Sequence, residues 1–261
     1  MFSKFRSLIF KIDPETAHNL AIKSLKLNIL PNITDQNKGD PIFETNLFGK
    51  NIDNPIGMAA GFDKNAEVYN SLFKLGFGFV EVGTVTPLEQ YGNPKPRVFR
   101  LVEDQALINR LGFNNLGAEN VSHRIKSNSH KGLLGVNIGP NKDSEDRLND
   151  YLIGLKIFYD IADYITVNIS SPNTENLRAF HDETKFDELL NAIEKEKVKT
   201  PDIMRRSDQV NYPSPLNSPT SIKHRETSER IIDIQDLLRG IYKKNIYKEK
   251  NYEEKFEKEI L

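Results

Sequence analysis

The chain of 261 residues contains no cysteine, which excludes disulfides, zinc–thiolate sites and a cysteine nucleophile. Its five histidines form neither an H-x-x-x-H nor an H-E-x-x-H pattern, so we expect no metal site. No run approaches the roughly 18 apolar residues of a membrane-spanning helix. The net charge of −1 gives no overall basic field, so we expect no nucleic-acid partner.

The first residues also lack the continuous apolar core and small-residue cleavage site of a secretory signal, which predicts a protein that stays inside the cell. Two helical patterns are present instead. In residues 1–12 phenylalanine, leucine and isoleucine recur at helical spacing among basic side chains. Asp13 and Pro14 are typical of the start of a second helix. Its predicted apolar face comprises Ala17, Leu20, Ala21, Ser24 and Leu25.

A short basic amphipathic pair of helices has two interpretations. It docks on its own domain, or it lies in a membrane interface with its aromatic side chains inserted. The pattern alone favours the docked pair.

Strand and helix signals alternate from Asn54 to about Glu196. Predicted strands are "PIGMAAGFD", "FVEVGTVTP", "GLLGVNIG" and "YITVNIS", and helices are predicted at about 65–75, 115–127, 146–162 and 182–196. A long loop is predicted from Pro87 to about Asn115. Strands that alternate with helices indicate a parallel sheet with right-handed crossovers.

Each predicted strand ends with small or polar residues, and the last continues into "NISSPNT". Such residues also form turns, so one polar strand end is weak evidence, whereas four favour a ligand site. Neither a G-x-G-x-x-G motif opening a helix nor a G-x-x-x-x-G-K-[ST] loop is present. Four amides offer a donor and an acceptor to a planar, amide-bearing ring: Asn109, Asn114, Asn168 and Asn173. Lys64 and Arg110 could hold an anion.

Several long motifs resemble one family in the family's own order. They are "NPIGMAAGFDKNAE", "GFGFVEVGTVTP", "GNPKPRVFRL", "INRLGFNNLG", "VNIGPNKD" and "NISSPNT", with "IDPETAHNL" before them. Over roughly residues 1–196 the chain resembles the class 2, quinone-dependent dihydroorotate dehydrogenases. The resemblance implies an FMN-containing (β/α)8 barrel that oxidises (S)-dihydroorotate to orotate in pyrimidine biosynthesis, with a membrane quinone as acceptor.

The resemblance also implies roles for individual residues. Ser171, the second serine of the N-[IV]-S-S-P-N motif, would remove the C5 proton while hydride leaves C6 for the flavin. Thr174 is a plausible relay partner and Phe113 a plausible apolar neighbour. The implied FMN contacts are Ala60, Gly61, Thr84, Asn137 and Asn168. The implied substrate contacts are Lys64, Asn109, Arg110, Leu111, Gly112, Phe113, Asn168 and Asn173. One departure is Pro140, where the family usually has lysine.

In that family the N-terminal helix pair lies on the membrane and forms the mouth of a quinone tunnel. The resemblance therefore shifts the interpretation of residues 1–30 to membrane contact. We expect a peripheral protein on the cytoplasmic side of a bacterial-type cell membrane.

The resemblance stops at about residue 197, which gives three predicted segments: a helical extension over 1–40, the first half of the barrel over 41–197, and a divergent tail over 198–261. Four βα units with a flavin-binding lysine, a substrate asparagine and the glycine loops for the FMN phosphate are not found. The tail has a single glycine, Gly240, and its composition predicts disorder or loose helix.

A half-barrel leaves its outer strands unpaired. We therefore expect self-association, or union with a separately made C-terminal half. The alternative function is that of a non-catalytic, truncated family member without the FMN phosphate site.

Overall fold

The computed structural model describes residues 9–27, 41–102, 104, 106–130, 132–174 and 177–198. In these ranges the helices are α1 (Pro14–Lys26), α2 (Tyr69–Lys74), α3 (Gly117–Ser127), α4 (Arg147–Phe158) and α5 (Glu183–Val198). The strands are β1 (Thr45–Leu47), β2 (Lys50–Ile52), β3 (Gly57–Met58), β4 (Phe79–Val85), β5 (Val98–Leu101), β6 (Ala106–Asn109), β7 (Leu133–Ile138) and β8 (Tyr164–Val167). Most of the helix predicted over residues 1–12 and almost all of the predicted tail lie outside the described residues.

The main sheet is parallel and has the strand order β3-β4-β7-β8, as the alternating pattern predicted. Every second residue of the central strands faces the helices and is fully buried, including Val80, Val82, Leu134 and Val136. These side chains share one apolar core with large residues of the helices: Leu72, Val121, Ile125, Tyr151, Leu155 and Phe158. Burial of this helix-facing layer is the main stabilising contribution to the described fold.

The other face of the sheet is polar and aromatic. Glu81, Asn137 and Thr166 meet there through their side chains. The Phe48 ring, in the turn between β1 and β2, stacks on Tyr164 with 4.8 Å between ring centroids. The Lys50 ammonium lies 2.6 Å from the Asp163 carboxylate, so the β1–β2 hairpin is joined to the residue just before β8.

The structure differs from the predicted element boundaries in two places. The loop predicted from 87 to 115 contains the antiparallel hairpin β5–β6. This hairpin was missed because β6 is exposed along its whole length and lacks the alternation of a half-buried strand. The helix predicted from Asn65 begins at Tyr69 instead. The Asp63 carboxylate accepts hydrogen bonds from the backbone N–H groups of Glu67 and Val68, which holds residues 63–68 in turns.

Helix α1 has the predicted cap, since Asp13 accepts a 2.8 Å hydrogen bond from the Thr16 N–H. The predicted apolar face is wrong in part: Leu25 is buried as predicted, but Leu20 is 48% exposed and Ile22, which was not predicted, is buried. The Glu15 carboxylate lies on the buried side of the helix. Its ion pair with Arg97, at 2.6 Å, joins this side of α1 to the residue before β5.

None of the helices in the described ranges is long and apolar enough to span a bilayer.

Candidate functional site

Three polar side chains meet at the carboxyl ends of β4, β7 and β8. The Thr84 hydroxyl donates to the Asn137 side-chain carbonyl at 2.7 Å. The Asn168 amide donates to the Thr84 hydroxyl at 3.0 Å and to the Asn137 carbonyl at 3.2 Å. All three residues were predicted flavin contacts, and the structure brings them into one cluster, which we call the strand-end cluster. Whether they bind a flavin stays a prediction.

A bulge in β4 lets Thr84 join this cluster. Glu81 and Thr84 both contact Asn137, although residues three apart on a regular strand face opposite sides of the sheet. The register shifts between Val82 and Val85, and Gly83 adopts a φ of 112°. A Cβ atom at Gly83 would lie 2.4 Å from the Asn137 backbone carbonyl oxygen. Glycine is therefore required where the strand changes face.

The loop after β8 places Ser171 beside the cluster. The Ser170 N–H and hydroxyl donate to the Asn168 side-chain carbonyl at 3.2 and 3.3 Å. The Ser171 hydroxyl oxygen accepts a 3.3 Å hydrogen bond from the Asn173 N–H. Thr174 is only 3% exposed, and among the described residues its hydroxyl has no hydrogen-bond partner. A buried hydroxyl without a partner fits a site that a ligand or water completes.

The segment 109–113 lies against this loop. The Asn173 amide donates to the Asn109 side-chain carbonyl at 3.3 Å, so two predicted substrate residues are adjacent. The Phe113 ring approaches Gly139, because a Cβ there would lie 3.0 Å from the ring and 2.8 Å from the Thr84 methyl group. Phe113 therefore borders the strand-end cluster.

Three other residues of the predicted substrate set have contacts with protein groups outside the strand-end cluster. The Arg110 guanidinium donates to the Pro96 carbonyl at 2.8 and 3.1 Å and lies over the Phe99 ring. It already has protein partners, and its role as an anion ligand stays a prediction. Leu111 lines a cavity beside α1. Gly112 is buried, and its carbonyl accepts a hydrogen bond from the Gln90 amide at 2.9 Å.

The loop after β3 carries Ala60, Gly61 and Lys64. The Gly61 N–H donates to the Gly83 carbonyl at 2.8 Å, which joins this loop to the bulge. The Lys64 ammonium donates to the Gly61 carbonyl at 2.5 Å. Burial lowers the pKa of Lys64, and the nearby Arg97 charge lowers it further, while Glu15 opposes the shift. Ala60 is half-buried in the same loop, next to Gly61.

Several residues that organise the site were missed in the sequence. Asn115 and Asn141 both donate to the Thr86 hydroxyl, at 2.8 and 3.2 Å, and tie together the loops after β4, β6 and β7. Asn93 donates to the Arg110 carbonyl at 3.0 Å and to the Asn173 carbonyl at 3.4 Å. Their only signal in the sequence was their presence inside the quoted motifs. Glu81, beneath the cluster, was also missed.

A cavity of about 450 Å³ lies between α1 and the strand-end loops. Its lining includes His18, Ile22, Phe62, Lys64, Arg100 and Leu111. The His18 and Phe62 rings meet edge to face at 5.3 Å. Burial lowers the pKa of His18, and the nearby Lys64 charge adds to that effect, so the neutral imidazole is favoured. The cavity thus connects the N-terminal helix with two residues of the predicted substrate set.

Parallel strands, helices on one face and polar groups at the carboxyl strand ends define an α/β-barrel type of protein. The strand-end amides and hydroxyls suit a flat ligand that both donates and accepts hydrogen bonds.

A family model described as dihydroorotate dehydrogenase matches residues 42–218. The chain therefore belongs to the dihydroorotate dehydrogenase family. Its similar curated proteins include "Dihydroorotate dehydrogenase (quinone)" from Rhizobium etli (strain CIAT 652), which is 53% identical over 188 residues, or 72% of this chain and 51% of that protein. A protein of the same name from Bartonella tribocorum is 53% identical over 192 residues, or 73% of this chain and 52% of that protein.

Solved structures agree with this assignment. The crystal structure of DHODH from Eimeria tenella in complex with ferulenol aligns with a TM-score of 0.67 and 40% identity, covering 76% of this chain and 55% of that chain. The ligand-free structure of DHODH from Eimeria tenella gives a TM-score of 0.67 and 42% identity. The predicted fold class, the N-terminal portion of a (β/α)8 barrel, is confirmed. The chain spans about half the length of the curated relatives it matches.

Proposed function

We propose that this chain forms the substrate side of a quinone-dependent dihydroorotate dehydrogenase, which oxidises (S)-dihydroorotate to orotate in pyrimidine biosynthesis. The observation that carries the proposal is the strand-end cluster of Thr84, Asn137 and Asn168, with the Ser171 loop bonded to it. The names of the curated relatives support the same reaction.

The described residues fit the ring of FMN. Thr84, Asn137 and Asn168 supply polar groups that would face its amide edge, and Ala60 and Gly61 would leave room for a planar ring. The buried hydroxyl of Thr174 supports a site that a bound molecule completes. When bound, FMN would supply the acceptor for the C6 hydride of dihydroorotate and the means of passing electrons to quinone.

The chain's own residues would bind the pyrimidine and move one proton. Lys64, Asn109 and Asn173 would hold the ring and its carboxylate, and residues 110–113 would close over it. Ser171 would take the proton from C5 as the C6 hydride leaves, so that one proton and one hydride account for the new double bond. The Asn173 N–H orients the Ser171 oxygen. Thr174 would relay the proton onward, because serine is a poor base without such help.

We further propose that the cavity beside α1 receives the quinone. Its mostly charged and polar lining includes an apolar group of Ile22, Phe62, Val98, Leu107 and Leu111. It opens beside a helix whose outer face carries exposed Leu20 and Leu27. Exposed leucines near Lys23 suit an anionic membrane surface. Residues 1–30 would therefore hold the protein peripherally on the cytoplasmic side of a bacterial-type cell membrane.

Another polypeptide is proposed to complete the sheet. In the described part of the chain, β3 and β8 each pair on one side only. A second copy of the chain, or a separately made C-terminal half, would cover these edges. The alternative function is that of a non-catalytic family member without an FMN phosphate site; residues 198–261 contain one glycine, Gly240, and so offer no glycine loop for that phosphate.

The purified full chain tests these two functions directly. An absorption spectrum with about one FMN per chain, together with dihydroorotate-dependent reduction of a short-chain quinone, is the expected result. Colourless protein that neither takes up added FMN nor reduces quinone would contradict the proposed dehydrogenase activity and support the non-catalytic alternative. Flavin without reduction would locate the defect in the proton-transfer or substrate groups.

A further inference from the structure

Glu81 is a carboxylate on the polar face of the sheet with an unusual set of partners. Its two oxygens accept hydrogen bonds from the Asn137 amide and the Thr166 hydroxyl, each at 2.8 Å, and the Tyr164 hydroxyl is a further hydrogen-bonding neighbour. Among the described residues no cation lies within 4 Å of it. A half-buried carboxylate surrounded by neutral donors is costly unless those bonds are well made. Its place in the structure therefore calls for a specific role.

The backbone brings Glu81 to these partners. Glu81 lies opposite Gly135, which lies opposite Tyr164 in the sheet register. Because Gly135 has no side chain, the Glu81 carboxylate crosses β7 and reaches Thr166 on β8. The Tyr164 ring lies directly over Gly135, where a Cβ atom would lie 2.1 Å from the ring. Burial, the Glu81 charge and a hydrogen bond to Glu81 all raise the pKa of Tyr164, so its hydroxyl stays neutral.

A carboxylate accepts hydrogen bonds and donates none. Asn137 must therefore turn its NH2 group toward Glu81, which leaves its carbonyl to accept from Thr84 and Asn168. Asn168 in turn uses its NH2 group on Thr84 and keeps its carbonyl for the Ser170 N–H. The donors and acceptors are therefore set in one consistent order, from the Glu81 carboxylate through Asn137 and Asn168 to the loop that carries Ser171.

The reversed arrangement fails at both ends. If Asn137 were flipped, its carbonyl would face the Glu81 carboxylate, acceptor against acceptor. A flipped Asn168 would point its NH2 group at the Ser170 N–H, donor against donor. Each mismatch would leave a partly buried polar group without a partner, which costs about 1–3 kcal/mol in general.

We propose that Glu81 is a positioning residue: it fixes the amide orientation of Asn137 and, through Thr84, of Asn168, so that the strand-end cluster presents one defined pattern of donors and acceptors to its ligand. The consequence for flavin rests on the proposed function. The orientation of the amides themselves does not.

The test uses the full chain with three variants. Glu81→Leu removes the acceptor, Glu81→Gln keeps one, and Thr166→Val removes a partner of Glu81 that lies outside the strand-end cluster, as a matched control. The first readout is the side-chain NH2 signals of Asn137 and Asn168 in proton–nitrogen correlation spectra. The second is FMN affinity, from quenching of flavin fluorescence.

We expect Glu81→Leu to shift both amide signals, to speed their exchange with water and to weaken FMN binding about tenfold. Glu81→Gln should restore FMN affinity to within about threefold, because its carbonyl can still accept from Asn137 while its NH2 group donates to a rotated Thr166 hydroxyl. Thr166→Val should leave the Asn168 signal in place. An unchanged Asn168 signal in Glu81→Leu, or equal shifts in Thr166→Val, would overturn the proposal.

A reversed pair provides a second test if Glu81→Leu does not fold. Asn137→Asp alone places two carboxylates together and should displace the Asn168 signal. Adding Glu81→Gln to Asn137→Asp removes the repulsion between the two carboxylates, supplies an NH2 donor to the carboxylate at position 137, and should return that signal. If it does not return, the proposal fails. A wild-type chain that binds no FMN would contradict the proposed function alone, since the amide signals are measured without flavin.

Discussion

Single residues of the strand-end site are held in place by contacts that span much of the chain. Thr84 and Asn137 are 53 residues apart, and Glu81 and Thr166 are 85 residues apart. The polar residues at the strand ends were predictable, because they follow each strand in the sequence. Their pairing was not, because it depends on the sheet register and on the bulge at Gly83. Glu81, whose carboxylate contacts this cluster, belongs to no periodic pattern in the sequence that would have indicated a role.

The role of Ser171 as the proposed base can be tested by comparison with its neighbour, Ser170. In flavin-loaded protein, Ser171→Ala should lower dihydroorotate-dependent reduction at least about 100-fold, because no other group would accept the C5 proton. FMN content should not change. Ser170→Ala is the control, since Ser170 is exposed and precedes the proposed base, and it should retain activity within about threefold. Stopped-flow reduction of the bound flavin measures both. Near-normal reduction by Ser171→Ala would refute its role.

Helices and strands are held together at their ends as well as through the core. The β1–β2 hairpin has strands of only three residues, too short for stability without outside contacts. Asp163 supplies one such contact, since its carboxylate lies 2.6 Å from Lys50 and 3.5 Å from His130 and accepts from the Leu134 N–H at 2.8 Å. This polar cluster fastens the hairpin to the amino ends of β7 and β8.

The Asp163 contacts predict a dependence of stability on pH. Burial alone would raise the pKa of Asp163, but hydrogen bonds from His130 and Lys50 outweigh it and lower the pKa to about 2. A lowered pKa stabilises the folded state above the unfolded value near 4, and that stabilisation is lost as pH falls toward 2. Asp163→Asn should therefore cost about 1–2 kcal/mol at pH 7 and progressively less below pH 4.

Urea unfolding at several pH values measures this difference. Exposed Asp160 provides the matched control, and Asp160→Asn should change the free energy of unfolding by less than about 0.5 kcal/mol. A cost for Asp163→Asn that stays constant from pH 7 to pH 3 would contradict the proposed ionic origin.

The whole molecule raises the question of how its sheet is completed. The described part has four parallel strands, whereas the family fold closes eight into a barrel. Its polar inner face, with Glu81 and Tyr164, is only partly covered within the described residues. Open strand edges and a half-covered inner face favour association with another polypeptide.

Light scattering tests that expectation. If two copies pair, the purified chain should have a mass near twice 29.9 kDa, or about 60 kDa, and should dissociate on dilution with loss of structure. Union with a separate C-terminal half would instead give a stable complex only when both are expressed together. A stable, cooperatively unfolding monomer at all concentrations would contradict both forms of association.

The sequence by itself determined the parallel βα order, the Asp13 cap of α1 and the family, because these depend on short-range patterns and on motifs read in order. It did not predict that Ile22 is buried and Leu20 exposed on α1. The Glu15–Arg97 ion pair, whose members are 82 residues apart, lies on the buried side of that helix and could not be read from the sequence. Nor did it show that the amides of Asn137 and Asn168 share one orientation. Only the tertiary structure decided that, because the sheet register places Glu81 beside Asn137 and Thr166, and the bulge at Gly83 turns Thr84 toward the same Asn137 amide.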